Sequence, residues 1–265
     1  MSAWEVYSIK YADRNTRTRS DSFIFDDNHD APHAMDYFIW LLRRGDEVIL
    51  VDTGYDSEEA KARGRPIAMD PREAIAPFGI TPEDITQVIV THLHYDHAGG
   101  LHLFPNARLH LQSAEMEFAT GPCMCHDTLR APFTAGHICE AINRLYSGKV
   151  IFHDGDSQIT EGVTVHRIGG HSRGLQCVRV NTQAGWLVLA SDAAHYYENV
   201  FKRKPFPIVV DLQDMLDGFT MLERLASSPK LIIPGHDPLV RTYFPTTLAP
   251  HIQRLDLGAN KTDWP

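Results

Sequence analysis

Three histidines and an aspartate are crowded into one run of the chain, His92-Leu93-His94-Tyr95-Asp96-His97. In an extended segment residues two apart point the same way, so His92 and His94 can converge on one cation. If the chain then turns into a helix at Asp96, Asp96 and His97 can face a second cation. Gly99-Gly100, just beyond, let the backbone fold tightly around such a site. Imidazole and carboxylate donors suit zinc, and iron or manganese would take the same nitrogen and oxygen set; a structural zinc site would recruit thiolates instead. None of the four cysteines, Cys123, Cys125, Cys139 and Cys177, lies in the run. The chain holds 15 histidines, about twice the usual share for its length. The offsets carry the argument, because chance would assemble them roughly a few times in a thousand chains.

A strand must deliver such a run, and residues 88–90 (Val-Ile-Val) read as a short buried one ending there. Upstream, residues 4–12 read as a first strand. Residues 37–51 form two apolar runs broken by Arg44-Gly45-Asp46, a hairpin signal, and they lead into Asp52-Thr53-Gly54. Residues 57–79 have a helical pattern interrupted by Gly64, Pro66, Pro71 and Pro77, which predicts short pieces. Thr81-Pro82-Glu83-Asp84 has the composition of a helix start. Residues 21–36, polar and turn-rich, are expected to be mostly exposed loop. Further strands are expected at 108–111, 150–153, 163–168, 176–180, 186–190 and 231–233, and helices at 113–119, 135–146 and 212–226. Short strands with helices between them predict an α/β chain of packed sheets with helices outside.

Composition narrows the partners. Of 265 residues, 43% are hydrophobic and 22% charged, with a formal net charge of −9. That balance supplies a core and excludes a disordered or fibrous chain. The acidic excess argues against a nucleic acid or an anionic membrane as partner. The first residues contain no apolar segment of signal-peptide length, and no stretch of about 18 apolar residues occurs. A cytoplasmic protein with reduced thiols is therefore expected.

The histidine run resembles the HxHxDH signature of the metallo-β-lactamase superfamily, and the resemblance extends from Asp52-Thr53-Gly54 to Gly235-His236-Asp237. It implies a single αββα sandwich over residues 1–265, with a dinuclear metal site at one edge of its two sheets. It also implies three further ligands, each after a later strand: His171 in Gly170-His171-Ser172, Asp192 in Ser191-Asp192-Ala193, and His236 in Gly235-His236-Asp237. Carried over position by position, His92, His94 and His171 hold the first metal. Asp96, His97 and His236 hold the second, and Asp192 bridges both. Two zinc ions are the implied cofactor. Asp52, at a strand end, is read as the carboxylate that accepts from a ligand imidazole and fixes its tautomer, with a turn-forming aspartate as the alternative.

Within the superfamily, the segments THLHYDHAGG, VDTGY and SDAAHYYEN are similar to the N-acyl homoserine lactonase branch. Those lactonases carry a tyrosine three residues after the bridging aspartate. Here that position is His195, followed by Tyr196 and Tyr197, so His195 or Tyr196 is the candidate substitute. The implied reaction opens a lactone or related ester to a hydroxy acid by attack of a hydroxide shared between the metals. Asp96 would take or relay the proton, and His195 or Tyr196 would donate to the oxyanion. A thioester hydrolase of the glyoxalase II type shares the THxHxDHxGG pattern, and a metal-binding sensor or interaction protein on the same fold is the non-enzymatic alternative. The expected partner is a small-molecule lactone or ester; the oligomeric state is left open, a homodimer included.

Other features read more plainly. Residues 57–79 and 121–133 are expected to shape the pocket. Cys123-Met124-Cys125-His126 is too closely spaced for a zinc knuckle and reads as free thiols. His29 and His33 belong to the solvated loop, with an entrance to the site as the sharper alternative. His102, His110, His153 and His166 read as structural, and Lys202-Arg203-Lys204 as a solvated basic run. Ser172 and Ser191 lie outside any G-x-S-x-G elbow, which sets aside a serine hydrolase.

Overall fold

The computed structural model describes residues 3–26 and 28–260. In chain order the strands are β1 (Glu5–Arg14), β2 (Met35–Arg44), β3 (Glu47–Val51), β4 (Gln87–Ile89), β5 (Arg108–Gln112), β6 (Val150–His153), β7 (Ser157–Thr160), β8 (Val163–Arg167), β9 (Gln176–Thr182), β10 (Gly185–Ser191), β11 (Ile232–Pro234), β12 (Thr246–Thr247) and β13 (Ala249–Arg254). The helices are α1 (Ser57–Arg63), α2 (Pro71–Ile75), α3 (Tyr95–Ala98), α4 (Ser113–Thr120), α5 (Asp127–Arg130), α6 (Ala135–Tyr146), α7 (Tyr197–Phe201), α8 (Leu212–Leu225) and α9 (Leu239–Tyr243). One sheet runs in the order β12-β13-β1-β2-β3-β4-β5-β6 and the other β11-β10-β9-β8-β7. The first is antiparallel from β13 to β3 and parallel from β3 to β6.

Strand β2 shows why the sheets stack. Phe38, Trp40 and Leu42 face the second sheet, where they meet Val165, Val178, Val180 and Leu189. Ile39 and Leu41, on the opposite face, pack beneath Ile75, Phe78, Phe118 and Ile138 of the first helical layer. A strand buried on both faces reads as a continuous apolar run, which is the pattern of residues 37–42. The outer face of the second sheet, through Cys177, Val188 and Ala190, is covered by Met215, Phe219 and Leu222 of α8. The four layers are thus helix, sheet, sheet, helix. The β2–β3 hairpin closes at Gly45-Asp46 between the paired Arg44 and Glu47, with Gly45 at φ +59°.

Three local expectations are corrected. Residues 21–36 are not simply exposed: Ser22, Phe23 and Asp26 are buried because that part lies against the α7 region, with Phe23 on the Tyr196 ring and Ile24 N bonded to Pro205 O, and Met35 and Asp36 are buried as the start of β2. Thr81 opens only a 3₁₀ turn, Pro82–Asp84, since Ile85 is already extended and the chain enters β4. Strands β7, β12 and β13 escape the sequence reading; β13 begins with Ala249-Pro250, a poor strand signal, yet pairs with β1. No helix among the described residues is long and apolar enough to cross a membrane.

Candidate metal centre

Parallel strand β4 ends at Ile89, and the chain stays extended through His94 (φ −67°, ψ 155°) before α3 takes one helical turn. His92 and His94 therefore share a direction, with ring centroids 4.4 Å apart, and the helical turn swings Asp96 and His97 to the other side. The turn packs very closely on the β3–α1 loop. A Cβ on Gly99 would lie 2.3 Å from the Tyr95 carbonyl oxygen, and one on Gly100 would lie 2.4 Å from the Thr53 carbonyl oxygen. No other residue type fits there.

The loops after β8, β10 and β11 bring His171, Asp192 and His236 to the same edge of the sheets. All seven residues are buried. Ligand-type atoms of His92, His94 and His171 lie within 4.8 Å of one another, as do those of Asp96, His97 and His236. Asp192 stands between the two groups. Its Oδ1 is 3.0 Å from His236 Nε2 and 3.2 Å from His97 Nε2, while Oδ2 is 3.2 Å from His171 Nε2 and 3.8 Å from His92 Nε2.

The donor chemistry fits metal ions. The Nε2 atoms of His92, His97 and His171 and Oδ1 of Asp192 are buried without a hydrogen-bond partner among the described residues, a costly condition that a cation would relieve. The opposite ring nitrogens are tied down. His97 Nδ1 is 2.7 Å from Asp52 Oδ2, His171 Nδ1 donates to Ile208 O at 2.7 Å, and His236 Nδ1 donates to Asp36 O at 2.8 Å. These bonds hold each ring so that Nε2 faces the cluster. Burial, together with the neighbouring imidazoles, pushes His92 and His94 well below the usual histidine range, which keeps them in the neutral, ligating form. Burial opposes ionisation of Asp192, yet His236, His97 and His195 outweigh it and hold the carboxyl well below its usual range.

Asp52 is wholly buried at φ +59°. It also accepts from Thr91 N at 2.7 Å and from Thr91 Oγ1 at 2.8 Å, tying β3 to the loop that carries His92. Glu115 on α4 carries no local signal in the sequence that marks it for the site. Its buried carboxylate accepts from Leu93 N at 2.9 Å, Ser172 Oγ at 2.6 Å and Gly174 N at 2.9 Å, and so clamps the two loops that carry His92, His94 and His171. The hydroxyls of Ser172 and Ser191 are both engaged, Ser191 Oγ lying 2.8 Å from Thr91 Oγ1.

His195 and Tyr196 part company. His195 Nε2 is 2.9 Å from Asp192 Oδ2, its ring stacks 3.8 Å from Phe206, and burial pushes its imidazole down to about 3. Tyr196 turns the other way. Its hydroxyl approaches Ala34 O at 3.3 Å, its ring lies 4.2 Å from His33, and it is absent from the cavity wall. That wall encloses about 80 Å³ and includes Arg14, Arg17, Tyr37, Arg65, Tyr95 and Ile208 alongside the cluster. An adjoining groove of about 260 Å³ shares His94, Pro132, His171 and Ile208 with it and adds Phe118, Leu129, Val209 and Val210. Residues 57–79 and 121–133 contribute Arg65, Thr128, Leu129 and Pro132 to these walls, and Arg14, Arg17 and residues 207–210 complete them.

The profile of the metallo-beta-lactamase superfamily matches residues 35–236. The chain belongs to that superfamily. Within it the chain is similar to an N-acyl homoserine lactonase of Bacillus cereus, 31% identical over 161 residues, covering 60% of this chain and 58% of that protein. A probable metallo-hydrolase of Mycobacterium tuberculosis is 24% identical over 237 residues, 76% of this chain and 74% of the relative. The chain thus matches little more than half the length of the curated lactonases. Among solved structures, a quorum-quenching N-acyl homoserine lactone lactonase superposes with a TM-score of 0.72 at 24% identity, covering 90% of this chain and 94% of the other. AidC, a dizinc quorum-quenching lactonase, gives 0.70 at 19% identity over 96% and 95%. These likenesses agree with the αββα architecture of this superfamily member.

The remaining candidates fall outside the centre. Cys123, Cys125 and Cys139 are free thiols, partly or fully exposed, and belong to no metal-type cluster among the described residues. His29 is exposed and His33 packs on Tyr196. His102 lies 3.2 Å from Asp56, His110 and His153 stack on each other, and His166 lies 3.0 Å from Asp156. The run Lys202-Arg203-Lys204 is ion-paired, to Glu198, Glu223 and Asp26 respectively.

Proposed function

We propose that this protein is a metal-dependent lactone hydrolase that uses two zinc ions. The observation that carries the reading is the division of the cluster by Asp192: one carboxylate with an oxygen toward each of two groups of ligand-type side chains. The similarity to N-acyl homoserine lactonases supports the ester class. In this reading His92, His94 and His171 hold one ion, Asp96, His97 and His236 the other, and Asp192 both. Bound there, two such ions would supply a hydroxide at neutral pH and would polarise the ester carbonyl.

The chain's own residues do the rest. Asp96 lies on the cavity wall with Oδ2 3.7 Å from His236 Nε2, where its carboxylate can hold the proton released from water and return it to the leaving alkoxide. His195 is the polar group in place of the lactonase tyrosine, because it lines the cavity and Tyr196 does not. Its bond to Asp192 keeps the ring upright against Phe206. Ring opening leaves acid and alcohol in one molecule, so a single product departs.

The test is elemental analysis of the purified protein together with turnover on acyl-homoserine lactones, simple γ- and δ-lactones and S-lactoylglutathione. Two metals per chain with lactone opening is the expected result. Thioester cleavage alone would move the assignment to a glyoxalase II-type hydrolase. Two metals with no turnover would point to a binding protein, and less than one metal per chain after reloading would overturn the mechanism.

A further inference from the structure

The cavity beside the candidate centre is walled by three arginines that arrive from distant parts of the sequence. Arg14 ends β1, Arg17 lies in the loop beyond it, and Arg65 follows α1. All three are half-buried. Among the described residues none of them is ion-paired, whereas their close neighbours are: Arg19 with Asp26 and Glu198, and Arg63 with Glu59. Arg17 donates to the Asp21 carbonyl oxygen and its guanidinium lies beside the Tyr196 hydroxyl, while its Nε is buried without a partner. Arg65 donates to the Tyr95 hydroxyl, which lies 3.3 Å from the Tyr37 hydroxyl, and its guanidinium sits 4.9 Å over the Tyr95 ring. Apart from Asp96 and Asp192, the carboxylate on this wall is Asp21, and its Oδ2 is turned away to Thr18 N at 2.9 Å.

A protein of net charge −9 has thus gathered on the wall of one small cavity three guanidinium groups that form no ion pair among the described residues, beside two carboxylates, Asp96 and Asp192, that the proposed metals would claim. Partly desolvated cations without counter-charges are costly unless an anion completes them, and a guanidinium matches a planar carboxylate with two parallel N–H donors. Low-dielectric walls also focus the field into the cleft and raise the local concentration of anions. We infer that the substrate carries a second, ionised carboxylate beside the ester ring, held by Arg17, Arg65 and Arg14 while the ring faces the metal centre. This rests on the lactone-hydrolase reading for the ring and on the arginines alone for the carboxylate.

The probes are two γ-lactones that differ by that carboxylate, 5-oxotetrahydrofuran-2-carboxylate and γ-butyrolactone, and their ring-opened products, 2-hydroxyglutarate and 4-hydroxybutyrate. Calorimetric titration of the zinc-loaded protein should show 2-hydroxyglutarate binding at least about tenfold tighter than 4-hydroxybutyrate. The kcat/KM ratio of the two lactones should favour the carboxylate by a similar factor. In Arg17→Met and Arg65→Met both ratios should fall to near one, and Arg65→Lys should recover part of the preference. Arg17→Met, in the loop beyond β1, and Arg14→Met, at the last residue of β1, serve if Arg65→Met does not fold. Equal binding and equal turnover of both pairs in the unaltered protein, or a preference untouched by the arginine variants, would overturn the inference and leave a lactonase. Absence of lactone turnover with an arginine-dependent preference for 2-hydroxyglutarate would overturn the lactonase reading and keep the anion site.

Discussion

Replacing Asp52 by asparagine exchanges one carboxylate oxygen for an NH₂ group and leaves shape and volume almost unchanged. Asparagine tolerates the φ of +59° that Asp52 adopts, so backbone strain does not confuse the outcome as it would with alanine. Both oxygens of Asp52 act only as acceptors: Oδ1 from Thr91 N at 2.7 Å, and Oδ2 from Thr91 Oγ1 at 2.8 Å and His97 Nδ1 at 2.7 Å. If the amide oxygen stays on Thr91 N, the NH₂ faces His97 Nδ1. The ring must then move its proton to Nε2, the atom 3.2 Å from Asp192 Oδ1 that the metal would need. If the amide flips, Thr91 N–H meets another donor in a dry site, at a cost of about 1–3 kcal/mol. Metal affinity should accordingly fall by about 10–100-fold at the site that includes His97, or about 1.4–2.8 kcal/mol. Competitive titration of zinc against a chromophoric chelator, run beside thermal melts of the metal-free protein, reads both quantities. An Asp52→Asn protein that binds two zinc ions with unaltered affinity and melts at the same temperature would refute this account of Asp52.

Other perturbations test other parts of the structure. His195→Phe keeps the stack on Phe206 but removes the polar edge; turnover should drop by about 10²-fold with metal content unchanged, and His195→Tyr should recover part of it, whereas Tyr196→Phe should leave kcat within about twofold. Glu115→Gln replaces an acceptor that serves three donors, so metal-free unfolding in urea should lose about 1–3 kcal/mol; an unchanged midpoint would count against the clamp. Ile208 is a β-branched residue at φ +66° and 52% exposed, so Ile208→Gly should relieve about 1–2 kcal/mol of strain against about 0.5–1 kcal/mol of added chain entropy, and a melting temperature several degrees lower would contradict that balance. The Glu198 carboxyl is held down at about 2 by its hydrogen bond to Arg19, against an ordinary value of 4.5. Its contribution to stability is therefore complete above pH 4.5 and is lost as the pH falls toward 2; the stability gap between the metal-free parent and Glu198→Gln should narrow over that window, and a constant gap would exclude the linkage.

What the sequence determines by itself is local. The positions of His92, His94, Asp96 and His97 follow from two periodicities, an extended segment and one helical turn, and these are properties of a few consecutive backbone units. The apolar run of residues 37–42 likewise announces a strand buried on both faces. The division between His195 and Tyr196 needed the fold, because neighbouring side chains point in different directions and only the packing of Tyr196 on Phe23 and His33 decides which one meets Asp192. The burial of Ser22 and Phe23 needed it too, since their partner Tyr196 lies more than a hundred residues away beside α7. Glu115 and the arginine trio belong to the same class. Nothing around Arg14, Arg17 and Arg65 marks them in the sequence, and they share a cavity only because β1 and the segment after α1 lie along the same sheet edge as the ligand loops. Short-range backbone geometry sets what neighbouring residues can do together, and the stacking of the two sheets sets which distant residues face them.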